Sequence, residues 1–378
     1  MQTRPSLIDI ALQWGKIGIV GFGGPPAHIR LFRRLCVEEK KYVDDNFFED
    51  AMATCNLLPG PASTQLAIFL AFKLRGYLGA IVGAVSFISP GLFLIILLAE
   101  IFLSKGAPNL VVVASEGAAS SVGAIAISAS KDLIPASWGR KNSRFRWITY
   151  VILGFLATLF FGQYLVFVLI GCGLFELLTS RPSISHKSLL IFAVAAPVAF
   201  KVNTFLAIIW IAIKVGALSY GGGFVIIPLM RADAVNTYHL MTNNQFLDAV
   251  VLGQITPGPV VQTVAVVGFS ARGVLGALIA AIVAFSPSLL FVMVGGRYFE
   301  RIRNNINAKN FLNGAGPAAI GAIAGASVPL ALALNRPFEF ALLGVSLVLL
   351  IILKRSVTIT LIFSAVVAVI LFGLGAIS

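Results

Sequence analysis

A chain of 378 residues that is 58% hydrophobic and only 11% charged, with a mean hydropathy of +0.95, excludes a soluble globular fold. The net charge of +13 raises nucleic acid as a partner. In a chain this apolar, however, excess Lys and Arg mark the cytoplasmic loops of a membrane protein, so no nucleic acid is expected. Cys36, Cys55 and Cys172 are scattered and odd in number, and His28, His186 and His239 are isolated, so no disulfide framework, metal, haem or other cofactor is expected.

The N-terminus has no basic n-region and no small-residue cleavage site, so no cleavable signal peptide is expected. Leu7 to Gly24 reads as a first apolar helix, interrupted by Asp9 and Lys16 and ending in Gly21-Phe22-Gly23-Gly24-Pro25-Pro26. A polar stretch, Arg30 to Asp45, leads into the apolar run Phe47 to Phe72. That run is broken at Asn56-Leu57-Leu58-Pro59-Gly60-Pro61-Ala62-Ser63-Thr64-Gln65. Each proline lacks an N–H and clashes with the preceding turn, so the pair cannot sit in an unbroken helix. In lipid such a break survives only where protein or a wet cavity covers it. The apolar runs Tyr77–Leu103, Val111–Ser130, Trp147–Phe161 and Tyr164–Leu178 follow, with a basic linker from Lys131 to Arg146 and a polar junction from Arg181 to Ser188.

The second half, from near Asn203, repeats this plan, with its break at Gln254-Ile255-Thr256-Pro257-Gly258-Pro259-Val260-Val261-Gln262-Thr263. Lys16 and Lys214, Gly23-Gly24 and Gly221-Gly222, Asp50 and Asp248, and the two Pro-Gly-Pro triplets all stand 198 positions apart. The spacing divides the chain into homologous repeats, 1–188 and 189–378. If each Pro-Gly-Pro segment is a re-entrant hairpin, the basic loops gather on one face, and Arg4, Lys105, Arg231, Arg272 and Arg336 are left on the other. The crowded face is then cytoplasmic. Five crossings per half make the repeats antiparallel. The expected fold is an all-α polytopic membrane protein of two inverted-topology repeats, with about ten transmembrane helices and two re-entrant broken-helix hairpins; segment 189–200 is the hardest to place.

Lys16 and Lys214 precede the Gly-Gly elements, and a cation at mid-depth costs on the order of 3 kcal/mol unless it faces the interior or water. The helical pieces after each break expose unsatisfied amides with partial positive charge. Ser63, Thr64, Gln65, Gln262 and Thr263 add donors there, and Asn56 and Gln254 stand just before the breaks. Donors, helix N-termini and two lysines at the midplane describe an anion site. The plainer readings are lysines that snorkel and polar groups that only satisfy broken backbone. Asp50 and Asp248 are expected to cap helices, and Glu116 lacks a charged counterpart because Gly314 holds its repeat position. No GxxxxGK[ST] loop exists, and the scarce histidines and unpaired carboxylates speak against an enzyme.

Phe22-Gly23-Gly24-Pro25-Pro26-Ala27-His28, Leu57-Leu58-Pro59-Gly60-Pro61, Tyr220-Gly221-Gly222-Gly223 and Thr256-Pro257-Gly258-Pro259 together resemble the chromate ion transporter family, in its two-domain long-chain form. The resemblance implies a carrier in the cytoplasmic membrane that moves chromate, with sulfate as the tetrahedral analogue, and confers chromate resistance by efflux. Transport of another anion, such as sulfate or an organic acid, and an anion channel are the alternatives. The expected partners are the oxyanion and the lipid bilayer, with a homodimer left open. The expected binding set joins Lys16, Lys214, Gly23, Gly24, Gly221, Gly222, Asn56, Pro59, Gly60, Pro61, Ser63, Thr64, Gln65, Gln254, Pro257, Gly258, Pro259, Gln262 and Thr263.

Overall fold

A computed structural model describes residues 5–56, 58, 60–103, 108–180, 203–219, 224–296 and 305–377, and no strand occurs among them. Expectations on Pro59, Gly221, Gly222 and segment 189–200 lie outside the described residues.

Helix α1 (Leu7–Val20) starts in a capping box: Ser6 Oγ accepts from the Asp9 amide, and Asp9 Oδ2 accepts from the Ser6 amide and hydroxyl. It stops at Gly21. Gly23 and Gly24 then take φ of +97° and +71°, angles that cost glycine nothing, and Pro25 and Pro26 open α2 (Pro25–Arg33), where a missing N–H is no loss. α2 folds back beside α1, since the Phe32 ring lies 5.4 Å from that of Trp14 while His28 sits against Gly21. The expectation of one apolar helix from Leu7 to Gly24 is therefore corrected: the glycines reverse the chain.

A π-turn, Arg34–Glu39, leads to α3 (Asp45–Cys55), whose N-terminus is capped by Asp44 accepting from the Phe47 amide at 2.8 Å. After the break, α4 (Ala62–Phe102) runs 13 residues before Arg75 and Gly76 (φ +60°) kink it, and its second leg carries Pro90. Arg75 Nε donates to the Pro5 carbonyl at 2.5 Å. The chain's start and the kink thus share one end of the bundle, which corrects the expectation that set the start, with Arg4, on the face opposite Arg75. α5 (Asn109–Ala119) and α6 (Val122–Gly139) are nearly continuous through Ser120–Ser121, and α7 (Arg144–Phe160) and α8 (Leu165–Ser180) complete the half.

The second half repeats the backbone in detail. α9 (Thr204–Leu218) and α10 (Ile226–Arg231) mirror α1 and α2, and a π-turn, Ala232–Thr237, precedes α11 (Asn243–Ile255). Lys41 and His239, 198 positions apart, are both left-handed, with φ of 51° and 49°. α12 (Thr263–Gly295) kinks at Arg272–Gly273 with nearly the angles of Arg75–Gly76. Those kinks are only 197 positions apart, because one residue is dropped after the second Pro-Gly-Pro; Gln65 therefore matches Gln262, where the fixed offset would give Thr263. The capping expected of Asp50 and Asp248 belongs instead to Asp44 and to a Thr242–Gln245 capping box. The chain closes with α13 (Ile306–Ala331), α14 (Pro337–Leu347, extended as a π-turn to Ile352) and α15 (Val357–Gly373).

Packing divides the helices. α4 runs along α1 and α12 along α9, while α13 packs on α6, α7 and α8, and α15 on α5. Glycines set these contacts: a Cβ at Gly18, Gly216, Gly154 or Gly321 would collide with a carbonyl of the facing helix. Lipid gives helices no hydrophobic drive to associate, so close backbone approach supplies the cohesion.

Candidate functional site

The helix breaks converge, and they do so across the two halves. The Gly21 carbonyl accepts from the Gly258 amide at 3.1 Å and from His28 Nε2 at 2.9 Å. A carbonyl only accepts, so Nε2 carries the proton, and Nδ1 of the neutral ring accepts from the Ser63 hydroxyl at 3.3 Å. Gln262 Nε2 donates to the Ile88 carbonyl at 2.9 Å, and a Cβ on Gly91 would strike the Pro257 carbonyl. In mirror fashion, a Cβ on Gly60 would lie 2.9 Å from Ser288 Oγ and 3.3 Å from the Gly216 carbonyl. Each Pro-Gly-Pro tip thus packs against the other half's long helix beside its internal proline, at Pro90-Gly91 or Pro287-Ser288.

Two cavities flank α6. The larger, about 710 Å³, is lined by Gly23, Gly24, Pro25, Pro26 and Gln254, and by Ile125, Ser128 and Ala129 of α6. Its exposed rim carries Lys131, Asp132, Lys354 and Arg355 and the first residues of α15, Ser356 to Thr358. Gln254 is 8% exposed, and its Nε2 has no hydrogen-bond partner. The smaller, about 170 Å³, lies against Asn56, Gly60, Val225, Ser137 and Arg140.

The expected binding residues are therefore sorted rather than gathered. Gly23, Gly24 and Gln254 line the larger cavity, and Asn56 and Gly60 the smaller. Ser63, Thr64, Gln65, Gln262 and Thr263 are buried with Pro61, Pro257, Gly258 and Pro259 in the body of the tips, where Thr263 Oγ1 donates to the Val260 carbonyl at 2.8 Å. The buried Thr64 Oγ1 and Gln262 Oε1 have no hydrogen-bond partner. The two lysines part company. Lys16 is exposed on α1 and lines neither cavity. Lys214, 11% exposed, is ion-paired with Asp233 across the α9–α10 fold and lies 5.5 Å from the Trp210 ring centre. Leu35 and Leu12 hold the positions of Asp233 and Trp210 in the first half, so Lys16 has no such partners.

Sequence reasoning missed four residues. In the sequence His28 reads as isolated, although it follows Gly-Gly-Pro-Pro-Ala directly, and Lys131, Lys354 and Arg355 read only as loop charges. Glu116, which lacked a counterpart in the repeat, pairs with Arg336 at 2.9 Å, and beside it the Ser115 hydroxyl donates to Asp248.

The chromate transporter family profile matches residues 8–177 and 206–374. The chain belongs to the chromate transporter family. Within it, the chain is 30% identical over 349 residues to a chromate transport protein of Cupriavidus metallidurans, covering 88% of this chain and 84% of that one. A probable chromate transport protein of Synechococcus elongatus is 30% identical over 339 residues, 86% of this chain and 84% of the relative. An uncharacterized transporter of Methanocaldococcus jannaschii is 27% identical over 387 residues, 97% and 94% of the two chains. No solved structure matches the chain. Membership of this family, with four helical stretches among the described residues (of 41, 31, 36 and 26 residues) long and apolar enough to cross a bilayer, makes this an integral membrane protein of the transporter class.

Proposed function

We propose that the chain is a secondary carrier that moves chromate, or a similar sulfate-like dianion, out across the cytoplasmic membrane by alternating access. The observation that carries this reading is the larger cavity, whose lining brings Lys131, Lys354 and Arg355, with Asp132, together with the uncharged Gly23, Gly24 and Gln254. Cations on the rim draw an anion in, and neutral donors below hold it without trapping it. The names of the Cupriavidus and Synechococcus relatives supply the substrate class.

The membrane arrangement is part of the proposal. α3 has 11 residues and the first leg of α4 has 13, lengths of about 17 and 20 Å at 1.5 Å per residue, against a hydrocarbon core of about 30 Å. Such legs enter and leave on one side, as re-entrant hairpins do. The return of α4 to Pro5 supports setting the first hairpin at the basic end. The second hairpin engages Ser115, and Arg336 engages Glu116, in the second half of α5, the helix that follows the long leg of α4; this supports the inverted relation of the halves. The larger cavity includes Lys131 of α6 and the smaller includes Arg140 just after its C-terminus, which fits a state open to the cytoplasm.

Purified protein in proteoliposomes should take up chromate saturably, with sulfate competing, and should respond to imposed pH or potential gradients. Linear, non-saturating flux would make it a channel and overturn the carrier reading. A cavity of about 710 Å³ has room for some twenty waters at about 30 Å³ each, and so also for an organic acid. Stronger competition by a dicarboxylate than by sulfate would favour that second reading.

A further inference from the structure

We propose that Lys131, Lys354, Arg355 and the first turn of α15 form a subsite at the mouth of the larger cavity that selects divalent over monovalent oxyanions, with Asp132 limiting its strength. The proposal rests on the transport reading only for the identity of the carried species.

Three observations converge on it. First, three arginines of the first half are held in ion pairs: Arg33 bonds Asp45 and Glu49, Arg34 bonds Glu39, and Arg146 bonds Glu176. Lys131, Lys354 and Arg355 have no ion-pair partner among the described residues, though Asp132 lines the same rim. Unneutralised charge around a concave surface focuses potential into it.

Second, the backbone is arranged to present this charge. Lys354 takes a left-handed φ of 50°, and the Arg355 amide donates to the Leu349 carbonyl at 2.9 Å. This turn sets two consecutive cations directly before the Ser356 cap of a 17-residue helix. Ser356 Oγ accepts from the Ile359 amide, which leaves the Val357 and Thr358 amides without a helical acceptor beside the cavity. The partial positive charge of that N-terminus adds to the cations.

Third, the formal charge fits. Three cations and one carboxylate leave +2, which a dianion neutralises and a monoanion only halves. Coulombic energy is proportional to the ligand's charge. If losing one rim cation weakens a dianion about tenfold, it weakens a monoanion of the same shape by the square root of that, about threefold.

Sulfate and perchlorate share a tetrahedral shape and differ in charge, so they make the test. Binding of each to the full-length protein in detergent is measured by titration calorimetry. Lys131→Gln, Lys354→Gln and Arg355→Gln should each raise the Kd for sulfate about tenfold and that for perchlorate about threefold. Asp132→Asn should tighten sulfate several-fold, and Lys40→Gln, an exposed cation outside the cavity, should change neither. The proposal is overturned if the wild-type chain does not bind sulfate, if the rim variants leave its Kd within twofold, or if sulfate and perchlorate weaken equally. These readouts need no flux. Proteoliposomes that carry neither chromate nor sulfate would defeat the transport reading while the charge-selective binding stood, and normal flux with unaltered sulfate affinity would do the reverse.

Discussion

Gly60→Ala measures how tightly one half holds the other. Gly60 has φ of +123°, a region that strains any residue with a Cβ by about 1–3 kcal/mol. Its new methyl would also lie 2.6 Å from Gln65 Nε2 and 2.9 Å from Ser288 Oγ, an overpacking worth about 1–3 kcal/mol more. Gly76 separates these two costs. Its φ is +60° and nothing lies within 4 Å of a Cβ there, so Gly76→Ala carries the backbone strain alone. Thermal midpoints of the purified variants, with expression-normalised flux, should therefore rank wild type above Gly76→Ala and Gly76→Ala above Gly60→Ala. Adding Ser288→Gly to Gly60→Ala should recover part of the loss, since it removes one colliding atom and reproduces the glycine found at the matching position, Gly91. Equal midpoints for the two alanine variants, or no recovery from Ser288→Gly, would refute the inter-half contact as the cause.

Lys214→Gln should destabilise the protein by about 3–5 kcal/mol by leaving the Asp233 carboxylate buried and unpaired, whereas Lys16→Gln should stay within about 0.5 kcal/mol of wild type in thermal unfolding. The double change Lys214→Met with Asp233→Leu should regain most of that loss, because it removes both charges together. His28→Phe should cost about 1–3 kcal/mol by taking the acceptor from Ser63 and a donor from the Gly21 carbonyl, and Ser63→Ala should add little on top of it in the same assay. Cysteines at Lys41 and His239, repeat-matched and of nearly equal φ, should react with an impermeant thiol reagent from opposite sides of the membrane; labelling of both from one side would sink the inverted arrangement.

What could be read from the sequence was local or periodic. The Pro-Gly-Pro and Gly-Gly breaks announce themselves because the missing N–H and missing Cβ act on the nearest turn. The repeat shows because matched residues keep a fixed spacing, and it blurs only after Pro259, where a dropped residue pairs Gln65 with Gln262. What depends on the chain folding back was hidden. Lys16 and Lys214 look equivalent in the sequence, and only the fold of α10 onto α9 brings Asp233 to one of them. A hydropathy run likewise does not reveal that α1 turns back at Gly23–Gly24. Charge counting assigned Lys131, Lys354 and Arg355 to a face, but shared lining of one cavity is set by how α6 and α15 lie together.

The crossed seating of the tips limits how the molecule can move. A hinge along the junction between the two halves would drag each Pro-Gly-Pro turn away from the helix it packs against, breaking both contacts at once. In the carrier reading proposed above, the line of slip would then run elsewhere, between the block made by α1–α4 and α9–α12 and the block made by α5–α8 and α13–α15. Each block draws helices from both halves of the chain, so in that reading the moving units are not the units that repeat in the sequence.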